Sequence, residues 1–371
     1  MKMYDVIIVG GGLAGLTTAI DLSSSGLEVL LIEKEKYPKH KVCGEYVSNE
    51  VLPYLERLGV DVKSTLADKI QQLVLSNAGG SSIKVDLPLG GFGISRYALD
   101  DLLYHTAISE GVTFKFETVI GIDFKDDQFT VRTNTNNYRS ELTIGSYGKR
   151  SNLDKHLNRT FIQQKTPWIG IKAHYKSKDF PSGEVHLHNF DGGYCGLSRT
   201  ETGAVNFCYL AHYNSFKKTK SISDFNQKYL AENPFLNLFL DKSEMLFDKH
   251  LAISQVSFQN KNTVENHVLM IGDSAGLIHP LCGNGMAMAI HSAKLVSEEV
   301  KRYKSHKNRN QLEENYTQIW KKTFRKRLIF GSVFQKILLQ QKLSNIAMSV
   351  VSRSPFLLQK MIQQTHGKPI S

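Results

Sequence analysis

The chain begins with a short apolar run that does not alternate with polar positions. Residues 4–9 (YDVIIV) are apolar at nearly every position, which is typical of a strand buried on both faces. A glycine-rich turn and an apolar helix through Ala19 and Leu22 follow, and residues 28–32 (EVLLI) form a second apolar run. The pattern predicts a βαβ unit with two buried parallel strands.

The turn after the first strand has the spacing GxGxxG. Gly10 permits the tight turn, Gly12 lets the backbone approach a pyrophosphate, and Gly15 lets helix and strand pack closely. The second strand ends on Glu33, which is placed to bind ribose hydroxyls. The spacing therefore predicts a dinucleotide site, and a glycine-rich turn of an unrelated α/β protein is the alternative. The residues expected to contact the dinucleotide here are Gly10, Gly12, Ala14, Gly15, Glu33 and Lys34.

The following segments do not continue as regular βα repeats. A helix is expected to begin at Arg96, β-rich segments dominate up to about residue 210, and a buried strand precedes Gly272 and Asp273. We predict an α/β protein, in which a Rossmann-like domain (residues 1–70, 92–165 and 260–305) is interrupted by a mostly antiparallel β-sheet substrate domain (71–91 and 166–259). A helical region (306–371) follows.

Composition places the chain among ordinary globular enzymes. Of its 371 residues, 41% are hydrophobic and 22% are charged, and no apolar stretch is long enough to span a membrane. The N-terminus lacks the features of a targeting signal. Four widely spaced cysteines favour a reducing, cytoplasmic setting over a disulfide framework or a zinc site, so no metal is expected.

The net charge of +11 predicts affinity for anions. Candidates are acidic lipid headgroups, phosphorylated cofactors and nucleic acid, but no nucleic-acid-binding motif is present, so nucleic acid is not an expected partner.

Three motifs together carry a family resemblance. They are the GxGxxG turn, the helix start at Arg96 with Asp100-Asp101-Leu102, and Gly272-Asp273-Ser274-Ala275-Gly276 with Pro280 and Gly283-Asn284-Gly285. Over about residues 1–300 the chain resembles FAD-dependent oxidoreductases of the p-hydroxybenzoate hydroxylase fold, closest to their geranylgeranyl reductase-like branch. The resemblance implies non-covalent FAD, with Asp273 on the ribityl chain, Arg96 along the cofactor, and Cys43 in a Cys-Gly motif beside flavin and substrate.

The chemistry of these residues agrees with the roles that the resemblance implies. Asp273 follows a buried strand, where its carboxylate can accept ribityl hydroxyls; its alternative role is a helix N-cap. The segment from Gly283 through Asn284, Gly285 and Met286 begins a helix whose N–H groups can stabilise a reduced flavin. Because only one dinucleotide unit is found, NADPH or NADH is expected as a transient electron donor, or another protein delivers the electrons.

The chain departs from the family pattern at two positions. Tyr147 stands where the family usually has an aspartate, and the segment Gly193-Tyr194-Cys195-Gly196 lacks the tryptophan of the reductase branch. The tryptophan-centred signature of flavin halogenases is also absent. The substrate class is therefore not inherited from geranylgeranyl reductase.

Three residues are candidates for catalysis. Cys43 could face the active site or be a small packed side chain, His279 could relay a proton or order its loop, and Tyr194 could face substrate or be a half-buried strand aromatic. Cys282 could line the same pocket, although ordinary packing is favoured. His186 and His188 alternate along a strand and are interpreted as surface or pocket polar residues without a metal.

The region after about residue 303 is basic and carries aromatic side chains, with apolar helical segments at 328–343 and 346–362. A helical cap packed on the flavin domain is the favoured interpretation. The alternative is that these helices dock on an anionic membrane or shape an entrance for a lipophilic substrate.

Sequence therefore favours a cytoplasmic FAD monooxygenase that hydroxylates a hydrophobic phenol- or polyketide-like molecule with NAD(P)H. A reductase of carbon–carbon double bonds in an isoprenoid or lipid-like substrate is the alternative. A flavin-binding redox partner without turnover is the alternative of another class.

Overall fold

A computed structural model describes residues 2–277 and 283–371; within these ranges the side chains of four residues, Gln341, Pro355, Leu357 and Thr365, are not described. Its strands are β1 (Met3–Val9), β2 (Val29–Glu33), β3 (Tyr46–Ser48), β4 (Asp68–Ser76), β5 (Ser82–Gly93), β6 (Thr113–Phe116), β7 (Val119–Lys125), β8 (Gln128–Thr133), β9 (Asn137–Gly145), β10 (Trp168–Lys176), β11 (Glu184–Phe190), β12 (Gly193–Arg199), β13 (Val205–His212), β14 (Glu244–Met245), β15 (Leu251–Ser254), β16 (Val264–Glu265) and β17 (Val268–Met270).

Its helices are α1 (Leu13–Ser23), α2 (Leu52–Arg57), α3 (Arg96–Ser109), α4 (Asn152–His156), α5 (Tyr213–Phe216), α6 (Ile222–Phe225), α7 (Pro234–Lys242), α8 (Gly285–His306), α9 (Arg309–Leu339), α10 (Gln341–Arg353) and α11 (Pro355–Thr365).

The first sheet holds the βαβ unit expected from the sequence. Its strand order is β16-β17-β9-β1-β2-β6, and β17, β9, β1, β2 and β6 run parallel to one another. The register pairs Val6 with Val29 and Ile8 with Ile144. Both faces are covered, since α1, α3 and α8 bury apolar side chains against these strands, which explains the unbroken apolar runs in the sequence.

The second sheet is the mostly antiparallel one. Its order is β14-β10-β13-β12-β11-β4-β5-β3, with β11 and β4 the parallel pair on this path. β3, from the stretch before residue 70, pairs with β5 at the edge of this sheet. The chain therefore leaves the first sheet for β3 to β5, returns for β6 to β9, leaves again for β10 to β15 and completes the first sheet with β16 and β17. This arrangement confirms the predicted fold class.

The C-terminal helices contact both sheets. α9 buries Tyr316, Trp320 and Phe324 against the first sheet's core, and α10 and α11 pack in an apolar cluster with strands of the second sheet. The chain end returns to the core, where the Ile370 N–H donates to the Glu50 carbonyl oxygen at 2.8 Å. Among the described residues, no helix is long and apolar enough to cross a membrane.

Candidate functional site

The glycine turn between β1 and α1 is shaped by close backbone contacts. Gly10 has a φ of +105°, and a Cβ placed there would lie 2.3 Å from the carbonyl oxygen of Ser146. A Cβ placed on Gly15 would lie 2.1 Å from the carbonyl oxygen of Gly10. Both distances are far inside van der Waals contact, so any side chain would force the helix away from the strands.

Gly12 differs from these two glycines because an added Cβ there would make only ordinary van der Waals contact. Its backbone is ordinary extended chain, with φ −86° and ψ −174°, and the atom nearest to an added Cβ is Nη2 of Arg96 at 3.8 Å. Gly12 is the N-cap residue of α1, and in the part of the chain that the structure describes no side-chain hydrogen bond caps this helix end. The unpaired N–H groups and the positive end of the helix dipole are therefore available to an anion.

A buried cluster beside this turn has an excess of positive charge. Arg96 donates two hydrogen bonds to the Asp100 carboxylate, at 2.7 and 2.8 Å, and Lys41 donates a third at 2.7 Å. Burial alone would raise the pKa of Asp100, but Arg96 and Lys41 outweigh it and hold that pKa below its ordinary value. Two cations share one carboxylate, so the cluster retains a net positive charge next to Gly12.

Glu33 ends β2 beside the same turn. Its carboxylate accepts the Gly11 N–H at 2.8 Å and the Lys39 ammonium at 2.9 Å. Burial opposes ionisation, yet these bonds, chiefly that from Lys39, hold the Glu33 pKa below its ordinary value. The acid expected to bind ribose is therefore charged at neutral pH. Lys34, predicted to contact the cofactor, is exposed.

Asp273 follows β17 and approaches the turn from the other side. A Cβ on neighbouring Gly272 would lie 3.0 Å from Cβ of Ala14, so the two segments touch. Among the described residues, none donates a hydrogen bond to the Asp273 carboxylate, whereas the Asp273 carbonyl oxygen accepts from Lys261 at 2.7 Å. Burial lowers the pKa of Lys261 to about 8. The Asp273 carboxylate remains available to ribityl hydroxyls.

The N-terminus of the 22-residue helix α8 lies near this cradle. Gly283 has a φ of +63°, and its added Cβ would lie 3.2 Å from the Tyr46 ring. Asn284 is the N-cap residue and its amide donates to Glu50 at 3.4 Å, while Gly285 begins the helix and Met286 is buried. His279 and Cys282, two other residues singled out in this loop, lie outside the described residues.

The segment from Lys41 to Glu45 is held in place by buried polar contacts with the second sheet. Glu45 has a φ of 55° and is fully buried, and its carboxylate accepts from Lys172, from His174 Nε2 at 2.6 Å and from the Arg96 N–H at 2.7 Å. Burial disfavours the charge, but His174 and Lys172 hold the Glu45 pKa below its ordinary value. This network places Cys43 and Gly44 between the two sheets.

His40, Glu45 and His174 bring potential metal-ligand atoms within 4.8 Å of one another. However, the Lys172 ammonium and the Arg96 N–H already bond the Glu45 carboxylate. This polar network therefore acts first as a structural clamp on the segment that carries Cys43.

Two apolar cavities lie between the second sheet and the C-terminal helices. The inner cavity, about 100 Å³, extends from Gly44 and Gly283 to Phe334 of α9. The outer cavity, about 400 Å³, lies among α9, α10 and α11. The cavities share five side chains as a common wall, namely Leu75, Phe330, Phe334, Leu358 and Met361.

Three polar side chains, Tyr46, His186 and His366, line the inner cavity. His186 Nε2 lies 2.8 Å from the Glu184 carboxylate, and its Nδ1 lies 3.3 Å from His188, which is in turn 2.8 Å from the Ser76 hydroxyl. Burial lowers the pKa of both histidines, that of His188 to about 3. A hydrogen-bonded chain therefore joins the cavity wall to the partly buried carboxylate of Glu184.

Two of the three catalytic candidates, Cys43 and Tyr194, lie among the described residues, and they occupy different surroundings. Cys43 is a half-buried free thiol that interacts with the Arg96 guanidinium. Tyr194 is buried on β12 in the apolar cluster beside the C-terminal helices, outside the lining of both cavities. Their roles, like that of His279, stay predictions.

Sequence reasoning gave no individual role to several charged residues of the site, although some of them stand in motifs that carry the resemblance. These are Lys39, Lys41, Glu45, Asp100, Lys172 and Lys261. The signal for Asp100 was present in the sequence, because Arg96 and Asp100 are four residues apart on a predicted helix.

The residues fit an FAD molecule. The uncrowded position of Gly12 and the positive cluster suit a pyrophosphate, Glu33 suits a ribose, and the open carboxylate of Asp273 suits a ribityl chain. Comparison with known families agrees, because an FAD binding domain matches residues 3–324. The chain belongs to the FAD binding domain family. This flavoprotein is therefore an FAD-dependent oxidoreductase of the type expected from the three motifs.

Three curated relatives illustrate the range of the family. Conditioned medium factor receptor 1 of Dictyostelium discoideum is 24% identical over 80% of this chain, which spans only 63% of that protein. Menaquinone reductase of Mycobacterium tuberculosis is 24% identical, covering 79% of this chain and 76% of its own. Digeranylgeranylglycerophospholipid reductase of Methanococcus aeolicus is 24% identical, covering 90% and 86%.

Solved structures show the same fold. The flavin-dependent brominase Bmp2 superposes with a TM-score of 0.82 at 18% identity, over 98% of this chain and 93% of its own. A geranylgeranyl bacteriochlorophyll reductase-like protein from Thermoplasma acidophilum gives 0.77 at 17% identity, over 99% and 93%.

Proposed function

We propose that this flavoprotein reduces a carbon–carbon double bond in an elongated, lipid-like substrate, with NADPH or NADH as the electron donor. The observation that carries the proposal is the pair of apolar cavities that share a wall and extend from Gly44 and Gly283 to the C-terminal helices. The outer cavity alone has a volume within the usual range for small-molecule sites.

The lining of the cavities favours an apolar chain as substrate. Apart from Lys360 and Gln364, the outer cavity is lined by aliphatic side chains, methionines and phenylalanines. Burying a polar molecule there would leave its hydrogen-bonding groups without partners, whereas each buried methylene is favourable by about 0.8 kcal/mol. The names of two relatives, menaquinone reductase and digeranylgeranylglycerophospholipid reductase, support a lipid-like substrate.

The chain's own residues would bind, orient and protonate. Reduction of a double bond adds one hydride and one proton, and FAD supplies the hydride chemistry when bound. Arg96 and the α1 N-terminus would hold the pyrophosphate, and the shared wall would exclude water from the reacting bond. The chain from Glu184 through His186 offers a path by which a proton reaches the inner cavity.

Hydroxylation of a lipophilic phenol, which the sequence favours, is the second candidate. The observation in its favour is the placement of Tyr46 and His186 in the inner cavity, where a hydroxyl group could bond to them. A substrate with a single ring would not need the outer cavity in addition to the inner one, and for that reason we rank reduction first.

Product mass separates the two reactions. Purified protein with NADPH or NADH is incubated with polyprenyl lipids and with alkyl phenols, in air and without oxygen. Reduction adds two hydrogens under both conditions, and this is the result we expect with polyprenyl lipids. A gain of one oxygen only in air would overturn the proposal in favour of hydroxylation. Absence of NAD(P)H turnover with every substrate would favour a redox-partner role.

A matched pair of variants tests the cavity itself. Met361→Trp adds bulk to the shared wall and should abolish lipid turnover while FAD content stays normal. Leu238→Trp places the same side chain at a position that is 54% exposed and lines neither cavity, and it should leave turnover near wild type. Equal activity of the two variants would show that the substrate does not pass the shared wall.

A further inference from the structure

The positive charge of the protein is concentrated at its C-terminal end. Residues 315–371 contain ten Lys and Arg and no Asp or Glu, which leaves 36 Lys and Arg against 35 Asp and Glu in all preceding residues. The net charge of +11 therefore arises almost entirely from α9, α10, α11 and the tail that follows.

The same helices expose large apolar side chains. The exposed set in this region comprises Ile329, Val333, Leu343, Ile346, Val350 and Phe356, each between 42% and 61% exposed. Ile329 and Val333 are one turn apart on α9, and the three on α10 follow the i, i+3, i+7 spacing of one helix face. Exposed apolar groups clustered on adjacent elements mark an interaction surface. We call these six residues, with the Lys and Arg of residues 336–360, the basic apolar face.

The outer cavity reaches this face. Val350 and Lys360 line the outer cavity, and both are exposed to solvent. The ammonium of Lys360 lies 4.6 Å from the ring centroid of Phe356, so a cation and an apolar ring are side by side at the opening. A molecule that enters the outer cavity from the surface would therefore pass among side chains of the basic apolar face.

We propose that the basic apolar face lies on an anionic lipid bilayer, and that the outer cavity opens into the lipid. The apolar side chains of the basic apolar face would enter the boundary between headgroups and acyl chains. Its cations would remain among the anionic headgroups, namely Lys336, Lys342, Arg353 and Lys360. The docking does not depend on the reaction type; entry of the substrate from the lipid rests on the proposed function.

Charge complementarity distinguishes the bilayer from a second copy of the chain. Two copies facing each other through this surface would bring together two faces that each carry four Lys or Arg side chains and no Asp or Glu. An anionic surface turns the same charges into an attraction, and each Lys or Arg near it strengthens partitioning about fivefold at low salt. Among the described residues, α10 and α11 are too short to span a membrane and α9 is too polar, so docking would be peripheral.

Flotation of the FAD-loaded full chain with vesicles tests the docking. We expect the protein to float with vesicles of phosphatidylcholine containing 30% phosphatidylglycerol, and to stay unbound with phosphatidylcholine alone. Binding should fall as salt shortens the Debye length. Equal flotation with both vesicle types, or no flotation with either, would overturn the proposal.

Charge variants should lower the partition coefficient by more than tenfold. The test variant carries Gln at Lys336, Lys342, Arg353 and Lys360; the control carries Gln at four exposed lysines elsewhere, Lys217, Lys218, Lys220 and Lys228. The control should bind as wild type does, because those lysines lie outside the face. FAD content and melting temperature verify that both variants fold. Equal loss in both variants would show only non-specific attraction and would refute the face.

Apolar variants test insertion. Ile346→Ser with Phe356→Ser should weaken binding, whereas Ile120→Ser with Leu238→Ser, changed at similarly exposed positions elsewhere, should not. A protein that dimerises through Ile346 and Phe356 without lipid, measured by light scattering, would overturn the proposal in favour of a second copy. Flotation needs no substrate, so an unsuccessful turnover assay would not affect the flotation result. Equally, a failure to float would not affect the turnover assay.

Discussion

Adding a side chain at two glycines of the same turn should damage two different properties of the protein. A Cβ on Gly15 would lie 2.1 Å from the Gly10 carbonyl oxygen, which belongs to the backbone and cannot rotate away. A Cβ on Gly12 would have its nearest neighbour at 3.8 Å, and its extended backbone accepts any residue. We therefore expect Gly15→Ala to damage the fold and Gly12→Val to damage only FAD binding.

The distances set the magnitudes. Ordinary contact would require the Gly15 Cβ and the Gly10 oxygen to separate by more than 1 Å, an overpacking cost of about 3 kcal/mol. With an unfolding entropy of about 2.1 cal/mol/K per residue over 371 residues, this cost lowers the melting temperature by roughly 4 °C. Gly12→Val should leave the free energy of unfolding almost unchanged, but its isopropyl group would occupy the space of the pyrophosphate. A similar overpacking cost, about 1–3 kcal/mol, then weakens FAD affinity by roughly 5- to 150-fold.

Both variants are measured as apoprotein and after titration with FAD. Melting of the apoprotein reports the fold, and quenching of flavin fluorescence reports affinity. We expect a lower melting temperature for Gly15→Ala, and an unchanged one for Gly12→Val with weakened FAD binding. A Gly12→Val protein that binds FAD as tightly as wild type would refute our placement of the pyrophosphate, and a Gly15→Ala protein of normal stability would refute the packing argument.

Three further predictions concern the carboxylates of Asp273, Glu45 and Glu50. Asp273→Ala should lower FAD affinity without lowering the melting temperature of the apoprotein, and equal affinity in wild type and variant would remove Asp273 from the site. Glu45→Gln should destabilise the protein by about 3–5 kcal/mol, because it leaves Lys172 buried without its carboxylate. The pKa of Glu45 is lower in the folded than in the unfolded protein. The stability that its carboxylate contributes is therefore fully present above the unfolded pKa of about 4.3 and is lost as pH falls through the folded pKa. Urea titrations should accordingly show the unfolding free energies of wild type and variant converging in acid. Glu50→Ala should loosen both α9 and the chain end, because the Glu50 carboxylate accepts from Arg327 of α9 at 2.9 Å and from the Gly367 N–H. Trypsin should then cleave the C-terminal helices faster, and unchanged cleavage would contradict this.

Some parts of this protein were predictable because their causes are local in the sequence. Gly10 must adopt φ +105° and Gly15 must let a helix touch a strand, and glycine is the residue that permits both. Asp273 comes directly after a buried strand, so its place at the end of the first sheet followed from the apolar pattern. The Arg96–Asp100 pair follows from helical spacing alone. The place of Arg96 beside the cofactor, however, could be predicted only from the family resemblance.

Other parts were decided only by the tertiary structure. Glu45 and Lys172 are 127 residues apart, and no local pattern pairs a carboxylate with one particular lysine among the 46 Lys and Arg of the chain. The cavities depend on Phe334 and Met361 reaching Leu75 and Gly44, which belong to segments more than 250 residues earlier. The apolar period of the last helices predicted that they would be buried on one side, but which surface they cover is set by the shapes of both sheets. Hydrophobic burial is non-directional, so the sequence determines that these side chains leave water, and the assembled fold determines what they enclose.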